Sequence, residues 1–306
     1  MSENWTVENI PDLSGKIIII TGANSGIGYE SAREFARKGA EVIVASRNPE
    51  KAERAIVRIR EDLPAAKLKF IELDLANLAS IRKFTEEFKL DYTRLDILLN
   101  NAGIMLVPFG KTVDGFERTV GTNHLGHFAL TGLLLDVLSA TPGARVVNVA
   151  SNAHYAGEMD FNNLLFENGG YAPMKAYGRS KLANLLFTYE LQRRFQSSGQ
   201  DVVALAAHPG ISATELANHL FFNLISWIIQ PAMKLIFQSS SMGALPSLRA
   251  AADSEALGGQ YYGPDGKGEK SGYPIVVDSN SASKNEDDAR KLWKISEELT
   301  GIKYLD

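Results

Sequence analysis

Apolar and polar positions fall into two alternating kinds of block. Runs such as "KIIIIT" at 16–21 and "EVIVAS" at 41–46 are continuously apolar and β-branched, as expected of strands buried on both faces. Between them lie longer stretches with apolar residues every three or four positions, such as Ala32, Phe35 and Ala36 within 29–39, the mark of a helix with one buried stripe. Strands are expected over 16–21, 41–46, 67–74, 95–103 (with its exit turn), 144–151 and 201–210. Helices are expected over 29–39, 49–62 and 77–89, in a long span ending near Ser139, and from about Ala176 to Ser197. Gly39 supplies a stop and Pro49 a first helical turn. This repeated strand–helix order predicts an α/β fold of Rossmann type, a doubly wound parallel sheet with right-handed crossovers. No linker, repeat or low-complexity segment divides residues 1–306, so one domain is expected.

Composition narrows the chemistry. The 306 residues are 45% hydrophobic and 22% charged, enough apolar surface for a real core. A net charge of −4 with scattered Lys and Arg gives no footprint for nucleic acid. There is no cysteine, which excludes disulfides, thiol catalysis and Cys-based metal sites. His124 and His127 are three apart, but two ligands without a third make no metal site. The N-terminus is polar, and the stretch 220–237 is too short and too interrupted by Asn223, Ser226, Gln230, Pro231 and Lys234 to span a membrane. A cytoplasmic protein is the expectation.

The first strand runs into "TGANSGIG" and then a helix. Glycines at 22, 26 and 28 permit a tight turn and close backbone approach, and the helix start offers N–H groups and a positive dipole end to an anion. In a doubly wound fold this is where a dinucleotide pyrophosphate sits; the alternative is a structural turn. The second strand ends in "ASRN". Ser46 stands where NAD sites carry an acid, and Arg47 follows. An acid would repel a 2′-phosphate, whereas a guanidinium pairs with it. NADP(H) is therefore expected over NAD(H), unless Arg47 is simply solvated.

"TGANSGIG", "NNAG" at 100–103, Asn123 in "GTNHLGHF", Ser151 in "VNVASNAH", and Tyr177 with Lys181 in "AYGRSK" together resemble the ordered signature of the short-chain dehydrogenase/reductase family, over nearly the whole chain. "GTNHLGHF", "SKLANLLFTYEL" and "GGQYYGPDG" are similar to its retinol-dehydrogenase-like branch and that branch's uncharacterised bacterial relatives. "GTNHLGHF" also resembles protochlorophyllide reductases, but those usually add a cysteine near the substrate. The resemblance implies that Gly22, Ser25, Gly26 and Ile27 line the pyrophosphate and ribose, and that Asp74, beside Leu75, accepts from the adenine amino group. It implies that Asn101, Ala102 and Gly103 run along the adenosine ribose. Pro209, Gly210 and Ile211 would orient the nicotinamide carboxamide, with Thr214 just beyond.

Hydride transfer to a carbonyl leaves charge on oxygen, so a proton source and a stabiliser are needed. A free tyrosine, with a pKa near 10, does this poorly at neutral pH. An ammonium one helical turn away favours the phenolate, which makes Tyr177 the expected acid/base and Lys181 its tuner. Ser151 would hold the carbonyl oxygen, and Asn123 a water linking Lys181 to solvent. Each residue has a plain alternative: Ser151 as a cap, Asn123 as a backbone binder, Asp74 as an N-cap, Tyr177–Lys181 as a surface contact.

Twenty-six positions separate Ser151 from Tyr177, more than in many family members, and the Asn- and Gly-rich insertion reads as a loop bordering the substrate cleft. Residues 213–238 carry a polar stripe on an otherwise apolar segment. They read as a lid over a lipophilic substrate, as a helix packed on the core or on a homodimer partner, or as a peripheral membrane contact. The expected activity is NADP(H)-dependent oxidoreduction of a lipophilic alcohol, aldehyde or ketone. A non-catalytic NADP(H) sensor, an epimerase and a C=C reductase stand as alternatives on the same scaffold.

Overall fold

Each of the six expected strands forms within its expected range. The computed structural model describes residues 4–210 and 238–305. The strands are β1 (Ile17–Thr21), β2 (Glu41–Ser46), β3 (Lys67–Glu72), β4 (Ile97–Asn100), β5 (Ala144–Val149) and β6 (Val202–Ala207). Two further strands, β7 (Tyr261–Pro264) and β8 (Pro274–Val277), complete an eight-stranded sheet of order β3-β2-β1-β4-β5-β6-β7-β8. All pairs are parallel except β7 with β8.

The period-2 geometry of a strand sorts β1 between two cores. Ile18 and Ile20 pack with Phe35 of α1 (Gly26–Arg37), Ile59 of α2 (Pro49–Asp62) and Leu248 of α8 (Ser240–Ala252). Ile19 faces the other side, with Phe84 of α3 (Leu78–Asp91), Phe187 of α7 (Pro173–Ser197) and Trp293 of α9 (Glu286–Thr300). Ile18, Ile19 and Ile20 are fully buried, which stabilises the fold by about 2 kcal/mol each.

The long helix expected to end near Ser139 is instead broken. Arg118–Val120 (α4) leads into a widened turn, Gly121–Leu125, in which Gly126 N–H bonds the carbonyl of Gly121 five residues back. The helix resumes as α5 (Gly126–Leu133) and ends as α6 (Leu135–Ser139). Close packing explains the glycines: a Cβ on Gly126 would lie 2.4 Å from the Leu75 carbonyl oxygen. The helix expected from Ala176 starts earlier, with Pro173 in its first turn.

The elements beyond residue 238 were not legible as a pattern. α8 carries Pro246 in its interior, β7 reads "YYGP" like a turn, and β8 leaves Ile275 and Val276 exposed. The segment expected as a lid, 213–238, lies outside the described residues except for Gln238, as do Ile211 and Thr214. Among the described residues no helix is long and apolar enough to cross a membrane.

Candidate active site

β1 pairs with β2 on one side and β4 on the other, so the chain winds outward in both directions from this point and a crevice opens above the strand ends. Two adjoining hollows of about 260 and 210 Å³ fill it, sharing Gly22, Asn24, Ala102, Gly103 and Ile104 as walls. The first extends to Tyr177 and Lys181 and the second to Ser46, Arg47, Asp74 and Leu75. Residues 155 positions apart in sequence thus border one groove.

At its centre, Gly22 and Gly26 adopt φ of 70° and 58°, the left-handed region that favours glycine. A Cβ on Gly28 would lie 2.5 Å from the Gly22 carbonyl oxygen and 2.6 Å from Asn101 Nδ2. Ser25 caps α1 with extended backbone but makes no side-chain capping bond. The turn therefore presents backbone and a helix start to the groove.

At the second hollow, Ser46 is buried and its hydroxyl has no hydrogen-bond partner among the described residues. Arg47 beside it is exposed, and no ion pair engages it among the described residues. Asp74 accepts from Ala76 N–H at 3.0 Å through Oδ1, so one oxygen is committed to its own turn. A bare glycine cradle, a buried hydroxyl and an exposed guanidinium fit a dinucleotide.

At the first hollow, Tyr177 and Lys181 are only 4% and 3% exposed, which rules out a solvated surface pair. Lys181 Nζ lies 5.7 Å from the Tyr177 ring centre and donates to the Val149 carbonyl at 2.9 Å. Asn123 sits in the widened turn. Its Oδ1 accepts from Ile104 N–H at 2.8 Å, while Nδ2 donates to the Ile104 carbonyl and to Ser180 Oγ, both at 2.9 Å. Both amide hydrogens are spent, so water-holding would fall to its oxygens. Gly103 separates Asn123 from Lys181; a Cβ there would touch both at 3.4 Å.

Ser151 is half-buried and starts a short turn, Asn152–Ala156, where its Oγ accepts from Ala153 N–H at 3.2 Å. Its own hydroxyl proton is not used by that bond. Ser151, Pro209 and Gly210 are not among the described walls of the two hollows. Ile27 and Pro209 approach one another across Gly243, where a Cβ would lie 3.5 and 3.6 Å from their side chains.

The insertion before Tyr177 is tied to α7 by Arg179, which is fully buried. Its Nε donates to the Glu158 carbonyl at 3.0 Å, and Nη1 to those of Asn163 and Leu164 at 2.6 and 2.9 Å. The guanidinium lies 4.0 Å from the Phe166 ring centre.

Sequence reasoning missed the residues that hold the groove's corners together. Thr21 Oγ1 accepts from Asn101 N–H and Ala102 N–H, each at 2.9 Å, and meets His127 Nε2 at 2.9 Å. His127 Nδ1 lies 2.9 Å from the Asn123 carbonyl oxygen. A carbonyl only accepts, so Nδ1 carries the proton and Nε2 receives that of Thr21. Burial holds this imidazole down to about 4, with the Lys181 charge adding to the depression and the Asn123 bond opposing it. The available signal was two histidines in the apolar helix "HLGHFAL".

Residues 16–223 match the family model described as short chain dehydrogenase. Mouse retinol dehydrogenase 12 is 43% identical over 295 residues, covering 95% of this chain and 88% of that one. Human polyprenol dehydrogenase is 40% identical over 302 residues, covering 95% and 87%. The crystal structure of an uncharacterised protein from Mycobacterium paratuberculosis superposes with a TM-score of 0.83 at 40% identity, covering 99% of both chains.

Proposed function

The chain belongs to the short-chain dehydrogenase/reductase family, in its retinol-dehydrogenase-like branch, and from that premise we propose an NADP(H)-dependent oxidoreductase of lipophilic alcohols, aldehydes and ketones. It is an oxidoreductase that acts on alcohol or carbonyl groups. The observation that carries the finer reading is the buried Tyr177–Lys181 pair at one end of a groove whose middle is the glycine turn.

Bound dinucleotide would supply the hydride. Gly22, Ser25, Gly26, Ile27 and Gly28 would hold its pyrophosphate, and Asn101, Ala102 and Gly103 its adenosine ribose. Ser46 and Arg47 would take the 2′-phosphate, Asp74 and Leu75 the adenine side, and Pro209 and Gly210 the carboxamide. Tyr177 gives its proton to the substrate oxygen in reduction and takes it back in oxidation. Lys181 stabilises the phenolate side of that exchange. Ser151 directs its unspent hydroxyl proton to the same oxygen. Asn123 keeps Ile104 and Ser180 in register beside them.

Two observations favour an apolar substrate. Ile104 and Met105 border the groove next to Tyr177, and the relatives named above carry the names of retinol and polyprenol, both long apolar alcohols. The test is cofactor consumption with retinal, steroid, aliphatic and aromatic carbonyls, with NADPH and NADH in parallel. Turnover of apolar carbonyls with NADPH, abolished in Tyr177→Phe, supports the proposal. Tight NADPH binding without turnover across the panel would favour a sensor, and full activity in Tyr177→Phe would remove the mechanism.

A further inference from the structure

Behind residues 208–210 lies a polar cluster that the groove does not use. His208 is fully buried. Its Nδ1 accepts from Gly210 N–H at 3.3 Å, and its Nε2 lies 2.9 Å from Glu269 Oε2. A backbone N–H only donates, so Nδ1 must be bare and Nε2 must carry the proton that goes to the carboxylate. Each ring nitrogen is committed, and the tautomer is fixed from both sides.

Glu269 sits in the hairpin between β7 and β8 with φ of 55°, a left-handed conformation that costs an L residue roughly 1 kcal/mol. A glycine would occupy it more easily. Strain of this kind persists where surrounding contacts over-determine it, and here the side chain reaches inward to His208.

The same hairpin grips the turn twice more. Gly210, at φ of 70°, packs so closely that a Cβ would lie 2.4 Å from the Lys270 carbonyl oxygen. The Pro209 carbonyl accepts from Gln238 Nε2, whose Oε1 accepts from Gly272 N–H at 3.3 Å. On the other side, Asn152 Nδ2 lies 3.4 and 3.5 Å from the carbonyl oxygens of Gly268 and Glu269. Asn152 directly follows Ser151. The hairpin tip therefore joins the two segments proposed to face the nicotinamide and the substrate oxygen.

We propose that Glu269, acting through His208, is a positioning residue that sets the 208–210 turn for the nicotinamide end of the cofactor. This rests on the functional reading above. The carboxylate holds the imidazole in one tautomer, the bare Nδ1 holds Gly210 N–H, and the turn keeps the shape that the carboxamide meets.

Glu269→Gly separates this role from a structural one, because glycine relieves the backbone strain while deleting the carboxylate. Three full-length proteins are compared: wild type, Glu269→Gly and Glu269→Gln, which keeps an acceptor for Nε2–H. The expected result is a dissociation constant for NADPH, by fluorescence titration, that rises roughly tenfold in Glu269→Gly, as for loss of one hydrogen bond to a charged group. Its melting temperature should fall by only a few degrees, because relief of the backbone strain offsets part of the cost of leaving His208 Nε2–H unpaired, and Glu269→Gln should bind NADPH within about twofold of wild type. In ¹⁵N spectra without cofactor, His208 should show a bare Nδ1 in wild type and in Glu269→Gln, and a mixture of tautomers in Glu269→Gly. Unchanged NADPH binding in Glu269→Gly, equal losses in both variants, or a protonated Nδ1 in wild type would overturn the proposal alone. If wild type binds neither NADPH nor NADH, the functional reading falls and the proposal falls with it.

Discussion

Lys181 is hung from Val149: its Nζ donates to the last carbonyl of β5 at 2.9 Å. The ammonium is thus anchored by the strand end, 5.7 Å from the ring centre of Tyr177, and does not depend on substrate for its place. Catalysis should then divide cleanly between the two residues. Tyr177→Phe should lower kcat by about 10² to 10⁴, the usual contribution of general acid–base catalysis, with cofactor affinity nearly unchanged. Lys181→Met should lower kcat and also weaken cofactor binding, since the proposed ribose contact goes with it. Steady-state rates paired with fluorescence titration of NADPH check both.

Arg47 should govern cofactor choice. Arg47→Asp replaces a partner for the 2′-phosphate with a charge that repels it and can hold ribose hydroxyls. The ratio of kcat/KM for NADPH over NADH should fall by roughly 10², as for losing a charge-assisted pair of about 3 kcal/mol. A ratio that stays within twofold would show the arginine to be merely solvated.

The two buried histidines of the central helix should make the fold acid-sensitive. Burial holds His124 at about 3 and His127 at about 4, against about 6.5 in an unfolded chain. Between those values the unfolded chain binds more protons, so stability is fully present above about pH 6.5 and falls as pH drops toward 4 and then 3. From pH 7 to pH 5 the loss is about 2 kcal/mol per histidine. Urea midpoints at the two pH values measure it, and His127→Gln should flatten the dependence.

Arg179 should be a stability residue whose loss is felt in the insertion. Arg179→Met leaves the carbonyls of Glu158, Asn163 and Leu164 without their donor, at about 2 to 4 kcal/mol. Hydrogen exchange over 158–166 should quicken well before that of α7. Arg179→Lys should not restore protection, because one ammonium lacks the fork that reaches three carbonyls.

What the sequence disclosed follows from which patterns are local. The strands of the central sheet were legible because Ile17–Ile20 and Val42–Ala45 are apolar on both faces, and the groove because its turns carry glycine where a Cβ would collide. The widened turn at Gly121–Leu125 was not legible, since one extra residue per turn leaves no trace in a run of apolar spacing. Nor were the Thr21–His127–Asn123 connections, whose members lie up to 106 positions apart. β8 was hidden because an edge strand with exposed Ile275 and Val276 has the reverse of a core pattern. The role proposed for Glu269 depends on hydrogen-bond directions, which no spacing encodes.

The sheet order has a consequence for ancestry. Because β1 lies between β2 and β4, the side chains that would discriminate one cofactor from another, Ser46, Arg47, Asp74 and Leu75, come from chain before residue 76. Those proposed to do chemistry, from Asn123 to Lys181, come from chain after residue 100. The α3 crossover is the seam between them. Two related genes that recombined within that seam would exchange the residues proposed to read the coenzyme as a cassette and leave the proposed reacting end of the groove with its original owner.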